Sequence, residues 1–428
     1  MTNPRAALPR VLGVRGAVAM GLGSILGTGV FVSIGVAARA SGPLLLVAVV
    51  LAGVVAIFNG LSSAELAANH PVSGGTYEYG YRYSSPSLGF AAGWMFVCAK
   101  TASAATAALG VAGYVVNALG AGARWSTALG LAVVVALTLV VASGVRRSNR
   151  VNAGMVAVTL GVLVLFVAVG LASVRPFGHA AVAWTYPIGV KGVLYATALM
   201  FVAYTGYGRI ATLGEEIREP RRSIPKAVVL ALVATMCVYA GVGVVLLGSM
   251  SADGVGPAAV AAPLVVAARR FALPEVAPLV TLGAVSAMLG VLLNLLLGIS
   301  RVLLAMARRG DVPAWLGTLD GSELSPRRAV LATGALSGLL VFVGSVETTW
   351  SFSAFTVLVY YALTNLAALR LPADQRLYPV WKSWLGLSSC LGLAFWVEAR
   401  IWATGLGLLM VGLGWHFVRR RSVARAAT

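Results

Sequence analysis

Long apolar runs constrain this chain more than any other feature of its sequence. Each run is long enough to cross the hydrocarbon core of a bilayer, about 30 Å thick, as a helix. The runs are continuous and rich in Leu, Val, Ala and Gly, whereas the strands of a membrane barrel would alternate polar and apolar residues. There are twelve of them, over residues 14–38, 44–68, 87–119, 127–145, 152–174, 192–212, 227–249, 277–305, 329–346, 350–369, 380–397 and 401–418. The sequence therefore predicts an all-α integral membrane protein with twelve transmembrane helices.

The composition excludes a soluble protein. Of 428 residues, 59% are hydrophobic and 11% are charged, whereas about 25% of the residues in soluble proteins are charged. The net charge of +19 does not indicate nucleic-acid binding, because Lys and Arg form short clusters between the apolar runs rather than one basic surface. The partner that this composition predicts is the lipid bilayer.

The sequence predicts neither a metal, nor a cofactor, nor an enzyme. No group of nucleophile, base and metal ligands is clustered in the apolar runs, and no phosphate-binding loop for ATP hydrolysis is present. The cysteines and histidines lack the spacing of metal ligands. They are Cys98, Cys237, Cys390, His70, His179 and His416.

Lys and Arg are distributed unequally between the two sides of the membrane. With the N-terminus inside, the cytoplasmic segments hold 24 of them and the outer segments hold seven. Because cytoplasmic loops carry an excess of Lys and Arg, the sequence predicts a multi-pass protein of the cell membrane with both termini in the cytoplasm.

Two of the predicted spans are interrupted by glycine. The first has Gly27-Thr28-Gly29 at its centre, and the sixth has residues 203–208, with the sequence AYTGYG. The two interruptions occupy equivalent places in two halves of five spans, and an odd number of spans places the halves in opposite orientations. A pair of interrupted helices at equivalent positions indicates a transporter binding site. The alternative is that the glycines only let helices pack closely.

Four motifs, in this order and at these helix ends, resemble the amino acid–polyamine–organocation superfamily of permeases. The resemblance covers about residues 12–370, and the last two spans are less diagnostic. The motifs are GSILGTGVF at residues 23–31, SAELA at 63–67 followed by Pro71 and SGGTY at 73–77, EEI at 215–217 followed by PRRSIP at 220–225, and SRVL at 300–303 followed by AMARRG at 305–310.

The resemblance implies a LeuT-type architecture. Ten core helices would form two inverted five-helix repeats, over residues 12–174 and 192–370, with two appended helices over residues 380–418. It further implies a binding site at the membrane midplane, alternating access, and an amino acid or a related amine as cargo.

The exposed backbone of two broken helices suits a zwitterion. The amide end of a helix carries partial positive charge and accommodates a carboxylate, whereas the carbonyl end accommodates an ammonium. By analogy with the family, the amides of Thr28 and Gly29 and the Thr28 hydroxyl would bind the carboxylate, and the carbonyls of Ile25, Val202 and Thr205 would bind the amine. Thr28 has an alternative role, a hydrogen bond to its own helix. The full predicted set is Ile25, Gly27, Thr28, Gly29, Val202, Ala203, Tyr204, Thr205 and Gly206.

The sixth span departs from the pattern of many relatives. They have a bulky aromatic gate where this chain has Val202. Phe201 is adjacent, but it would point about 100° away on a helix. Either the gate is smaller here, or Tyr204 or Tyr207 replaces it; both tyrosines have packing as an alternative role.

The coupling ion is left open by the sequence. Proton-coupled relatives and many exchangers have a lysine in the fifth span where this chain has Thr159. A sodium site would require two adjacent hydroxyl side chains on the eighth span, where Ser286 is followed by Ala287. Proton symport, exchange and sodium coupling all remain candidates.

Lys100 is an ionisable residue well inside the third span. It lies about 20 Å along the helix from the cytoplasmic start, and a charge at such depth is costly unless it is paired or hydrated. It could carry the coupling proton, select acidic cargo, or act as a structural cation that binds neighbours such as Thr101 or Ser103.

The function that these features favour is secondary transport of an amino acid by alternating access. A polyamine or organic-cation permease of the same fold is a second candidate, although the spans carry no carboxylate at mid-depth to bind a cation. A non-transporting amino acid sensor is a third candidate, and the oligomeric state is left open.

The predicted orientation can be tested by cysteine labelling in intact cells. A cysteine introduced at Ser148, in the basic loop 146–150, is expected to react only with reagents that reach the cytoplasm. A cysteine at Arg124, on the predicted outer side, is the control and is expected to react with impermeant reagents. Labelling of the Ser148 cysteine from outside would overturn this orientation.

Overall fold

The described part of the chain consists of helices and their connections. The computed structural model of the protein describes residues 12–71, 74–143, 149–173, 189–212, 217–249, 262–319 and 326–426. Within these ranges the only extended pairing is one isolated bridge between Leu12 and Ile217.

Sixteen α-helices lie within the described ranges. They are α1 (Val14–Ile25), α2 (Ile34–Ser41), α3 (Leu45–Asn69), α4 (Thr76–Tyr83), α5 (Pro86–Ala118), α6 (Trp125–Ala142), α7 (Asn149–Ser173), α8 (Val190–Tyr204), α9 (Gly208–Thr212), α10 (Pro220–Ser249), α11 (Pro263–Ala268), α12 (Val276–Arg309), α13 (Arg327–Val343), α14 (Val346–Leu369), α15 (Trp381–Ala394) and α16 (Ala399–Ala426).

Helices form most of the described part of each of the twelve predicted apolar runs, which confirms an all-helical membrane protein. In the part of the chain that the structure describes, eight helical stretches are long and apolar enough to cross a membrane by themselves. One of these, Gly29–Asn69, joins the end of the first run to the second. The first and sixth runs are each divided into shorter helices, and α13 and α15 have 17 and 14 residues. The total of twelve crossings stays a prediction.

Some residues named from the sequence lie outside the described ranges. They include the basic loop residues Arg146, Arg147 and Ser148, and also Ser73, Glu215 and Glu216 of the resembling motifs.

The helices pack in a pattern that repeats when each is exchanged for its counterpart five spans away in the other half of the chain. Helix α3 packs on α8, and in the same way α10 packs on α1. Helix α5 packs on α14, and α12 packs on α7. Helix α5 is buried along most of its length and is the centre of the bundle, whereas α16 lies at the periphery and exposes Met410 and Val411.

A buried ion pair attaches α15 to the end of α3. Lys382 Nζ lies 2.7 Å from Glu65 Oε2, and both side chains are almost fully buried. The other Glu65 oxygen accepts hydrogen bonds from the amides of Leu377 and Tyr378, and the ammonium also donates to Ser383 Oγ at 3.1 Å. Glu65 therefore has an ion-paired structural role at this helix end.

A second polar cluster attaches α16 to the short helix α4. Asp311, just after α12, accepts hydrogen bonds from Tyr77 and Tyr81 of α4, both at 2.7 Å. His416 Nδ1 of α16 lies 3.2 Å from the same carboxylate. Burial and the hydrogen bond to Asp311 raise the pKa of the Tyr77 hydroxyl well above its usual value. The hydroxyl therefore stays protonated and donates to the carboxylate at any physiological pH.

The Glu65–Lys382 pair generates a stability prediction. Lys382→Met leaves a carboxylate buried without its cation, which typically costs about 3–5 kcal/mol of the free energy of unfolding. The melting temperature of the purified protein in detergent is expected to fall clearly. Adding Glu65→Gln should recover much of the loss, because no charge is then left buried.

Lys191→Met is the matched control, since Lys191 is exposed near the start of α8. An unchanged melting temperature for Lys382→Met would contradict the importance of the pair.

Candidate functional site

The first apolar run is broken at its centre. Helix α1 ends at Ile25, and Leu26 is extended, with φ −77° and ψ 97°. The amides of Val30 and Phe31 both donate to the Gly27 carbonyl at 3.2 Å, so a new helical segment begins there, first as the π-helical turn Gly29–Ser33. The break creates a carbonyl end at α1 and an amide end at Thr28 and Gly29.

The sixth run is interrupted at the predicted position. Helix α8 ends at Tyr204, the 3-10 turn Thr205–Tyr207 follows, and α9 begins at Gly208. The carbonyls at the end of α8 therefore lose part of their regular helical pairing.

The two interruptions touch each other. A Cβ atom added to Gly29 would lie 2.5 Å from Ala203 Cβ, and one added to Gly206 would overlap the carbonyl of Ser24. Both glycines are thus required for close packing, which was the alternative explanation of their presence. The interrupted hydrogen bonding is a separate observation, and the fold brings the two interruptions to one place.

Side-chain hydroxyls, two from other helices and one from the sixth run itself, donate hydrogen bonds to the carbonyls of both interruptions. The Tyr239 hydroxyl of α10 lies 3.1 Å from the carbonyl oxygens of both Ile25 and Ala203. The Tyr361 hydroxyl of α14 donates to the Thr205 carbonyl at 3.2 Å, and the Thr205 hydroxyl donates to the Val202 carbonyl at 2.7 Å. The Val202 and Thr205 carbonyls also accept from the backbone amides of Thr205 and Gly208, so both lone pairs of each of these two oxygens are in use.

Tyr239 and Tyr361 were not identified from the sequence. The available signal was a tyrosine in the middle of an apolar run, since a buried tyrosine hydroxyl usually needs a partner. Nothing in the sequence shows that this partner is the broken backbone of a distant helix.

Thr28 presents an unpartnered hydroxyl at the amide end. Its side chain is 3% exposed, and its Oγ1 has no hydrogen-bond partner among the described residues. The alternative role, a bond to its own helix, is therefore not found. A buried hydroxyl without a partner is costly, and a bound carboxylate would satisfy it.

Lys100 points at the second interruption. Its Nζ donates to Thr205 Oγ1 at 3.0 Å. Ser103, one of the suggested structural partners, instead pairs with Ser353 Oγ at 2.7 Å. Within the described ranges no carboxylate lies at ion-pair distance from this ammonium, so a hydroxyl of the predicted site is the polar group that it contacts.

Thr159 lies beside the first interruption. It lines a cleft of about 10 Å³, enough for about one water molecule, together with Gly23, Leu26, Met155, Val156, Ala287 and Gly290. Its hydroxyl donates to the Met155 carbonyl at 2.8 Å. Ser286 is half-buried and does not line this cleft. Where the chain is described, no three His, Cys, Asp or Glu side chains are grouped as metal ligands.

Aromatic side chains pack closely around the sixth run. Phe201 is fully buried and meets Tyr361 edge-on, with ring centroids 5.6 Å apart. The Tyr207 ring lies 5.4 Å from the same tyrosine. The Tyr204 hydroxyl donates to the Val49 carbonyl at 3.1 Å. All three side chains have packing roles in this conformation, and a gating role for any of them stays a prediction.

A bundle of apolar helices with two adjoining breaks in its interior is typical of integral membrane transporters. The family model "Amino acid permease" matches residues 16–422. The chain therefore belongs to the amino acid permease family, within the amino acid–polyamine–organocation superfamily, as the four sequence motifs indicated.

Several characterised and uncharacterised transporters are similar to the chain over most of its length. An uncharacterized transporter of Mycobacterium tuberculosis is 42% identical over 98% of this chain and 93% of its own length. A branched-chain amino acid permease of Bacillus subtilis is 30% identical over 79% of this chain and 76% of its own length. A methylthioribose transporter of the same organism is 29% identical over the same two shares. These relatives are transporters rather than enzymes.

The contact between the interruptions predicts the effect of enlarging Gly29. Gly29→Val is expected to abolish uptake at normal expression, because the side chain meets Ala203 and obstructs the neighbouring amides. Gly29→Ala is expected to lower the melting temperature, since overpacking typically costs about 1–3 kcal/mol. Adding Ala203→Gly should recover part of that loss by removing one clash.

Gly161→Ala is the control, because an added Cβ at Gly161 meets nothing within 4 Å. Uptake and substrate affinity like those of the wild type in Gly29→Val would remove Gly29 from the site.

Proposed function

We propose that the protein is a secondary active transporter that carries an amino acid across the cell membrane by alternating access. Its substrate binds where the two interrupted helices meet. The family and the relatives support amino acid transport, and the geometry of the two interruptions supports this particular site.

The repeating pattern of helix contacts supports a LeuT-type fold. Exchange of each helix for its counterpart five spans away in the other half relates the α3–α8 contact to the α10–α1 contact, and the α5–α14 contact to the α12–α7 contact. Two five-helix repeats over residues 12–174 and 192–370 would produce this pattern, with α15 and α16 as the appended pair.

The meeting of the two interruptions is the observation that carries the proposal. The substrate carboxylate binds the amides of Thr28 and Gly29, where the helix end supplies partial positive charge, and the unpartnered Thr28 hydroxyl. The ammonium binds the carbonyls of Ile25, Val202 and Thr205, where it replaces the tyrosine and threonine hydroxyls that now donate to them.

The close contact between the interruptions supports alternating access. Because a single added carbon at Gly29 would overlap Ala203, a solute fits between them only when the two segments separate. The Tyr239 hydroxyl now lies between the carbonyls of Ile25 and Ala203. When the segments separate, it stays hydrogen-bonded to only one of these carbonyls. The freed carbonyl can then accept the substrate ammonium.

Lys100 argues against an organic cation as cargo. Its ammonium contacts Thr205 inside the proposed site, and a cation without a carboxylate would be repelled there. Family membership alone does not decide the cargo, since the relative that transports methylthioribose is 29% identical to the chain. A zwitterion or an acidic amino acid has the carboxylate that the amide end and Lys100 require.

Lys100 also acts as the proton carrier in this proposal. Protonated, it donates to the hydroxyl of Thr205, which in turn holds the Val202 carbonyl at 2.7 Å. Loss of the proton removes a charge-assisted hydrogen bond from the interruption of the sixth run. Proton binding is thereby linked to the geometry of the site.

Uptake of radiolabelled amino acids into proteoliposomes, with and without a proton gradient, tests the proposed function. Accumulation driven by the gradient is expected for at least one amino acid. Binding of amino acids without any uptake or exchange would instead indicate a sensor.

Lys100→Met separates proton coupling from the other roles of this side chain. Substrate exchange is expected to stay largely intact, and the acceleration by an inward proton gradient should be lost, because the exchangeable proton is gone. Thr205→Val, which removes the acceptor of Lys100, should weaken the same acceleration.

Lys191→Met, in an exposed position of α8, is the control and should keep the full response. If Lys100→Met retains full proton-driven uptake, Lys100 is structural. If the variant loses only the transport of acidic amino acids, Lys100 determines specificity.

A further inference from the structure

A groove opens at the start of α10, away from the proposed substrate site. Its volume is about 710 Å³, which lies in the range of about 300–1,000 Å³ for small-molecule sites. One wall is the first part of α10, and the other is the chain at residues 377–378, just before α15.

The rim of the groove is strongly basic. Arg221, Arg222 and Lys226 line it, and all three side chains are exposed. None of them forms an ion pair with another described residue. Three cations at one place, beside the first turn of a helix, attract a negatively charged group.

The floor of the groove is apolar and continues along the lipid-facing side of α10. Val229 and Leu230 lie one helical turn beyond the basic rim and also line the groove. Leu230 is 54% exposed, and Val233, further along the same helix, is 40% exposed. Because α10 is one of the helices long and apolar enough to cross a membrane, this exposed surface leads from the rim into the hydrocarbon.

The second wall is held rigidly by the buried ion pair. The amides of Leu377 and Tyr378 both donate to one oxygen of Glu65, the latter at 3.0 Å. The other Glu65 oxygen binds Lys382. The groove is therefore formed before a ligand arrives, which lowers the cost of ordering on binding.

We propose that this groove binds one anionic phospholipid of the surrounding membrane. The headgroup phosphate lies between Arg221 and Arg222, which can contact its oxygens in a bidentate manner. An acyl chain follows Val229 and Leu230 into the bilayer. Basic pockets at the ends of membrane helices are suited to anionic headgroups, and the apolar floor selects a lipid over a soluble anion.

Native mass spectrometry of the full chain in detergent tests the proposal, with phosphatidylglycerol and phosphatidylcholine as probes. Phosphatidylglycerol is expected to bind more tightly than phosphatidylcholine. Arg221→Gln with Arg222→Gln should weaken phosphatidylglycerol binding by about 30-fold, since each basic side chain near an anionic lipid contributes about a factor of five.

Two further variants distinguish lipid binding in this groove from a general attraction between anionic lipids and basic side chains. Arg327→Gln with Arg328→Gln is the matched control, because it removes the same charge from an exposed arginine pair at the start of α13. This control should keep its affinity for phosphatidylglycerol. Val229→Trp fills the floor without changing any charge and should weaken lipid binding, with the melting temperature confirming that the variant is folded.

Three results would each overturn the proposal. They are equal binding of the two lipids, an equal loss of affinity in the two arginine pairs, and competition by glycerol phosphate at the same concentration as the lipid. The last result would identify a site for soluble anions. None of these measurements depends on transport, so they do not depend on the proposed function.

Discussion

Backbone hydrogen bonding in a medium without water is the constraint on which the structure depends. Each unpaired amide or carbonyl inside a bilayer costs several kcal/mol, so a helix can be interrupted only where other groups satisfy its ends. The hydroxyls of Tyr239, Tyr361 and Thr205 provide this for the carbonyls of the first and sixth runs. The interruptions persist because two other helices and Thr205 of the interruption itself contribute donors to them, and the proposed substrate binds the groups that the protein leaves unpaired.

Buried charges are handled in three ways in this molecule. Glu65 and Lys382 neutralise each other. Asp311 is surrounded by tyrosine hydroxyls and His416. Lys100, by contrast, contacts a hydroxyl at the interruption of the sixth run. The first two arrangements attach the peripheral helices to the core. The third leaves a positive charge beside the proposed site, which is why a coupling or recognition role is assigned to it.

The ion pair between Glu65 and Lys382 connects the interior of the bundle to the proposed lipid groove. Glu65 lies near the end of α3 and holds the chain at residues 377–378 through two amides. Helix α3 in turn packs on α8, the first part of the interrupted sixth run. In this arrangement, a lipid in the groove contacts a wall that is continuous with the helices proposed to move during transport.

The sequence by itself determined the helices, the family and the positions of the two interruptions. The length of each apolar run predicts a helix, because a segment that crosses the bilayer must pair its own backbone groups. Glycine marks the interruptions, because it lacks a side chain and so allows another backbone to approach closely. Only the tertiary structure decided that Gly29 meets Ala203, that Lys100 reaches Thr205, and that Lys382, which interrupts an apolar run, pairs with Glu65. These contacts join residues far apart in the chain. Hydrophobic periodicity reports which residues are buried, but it does not report which distant helix each one meets.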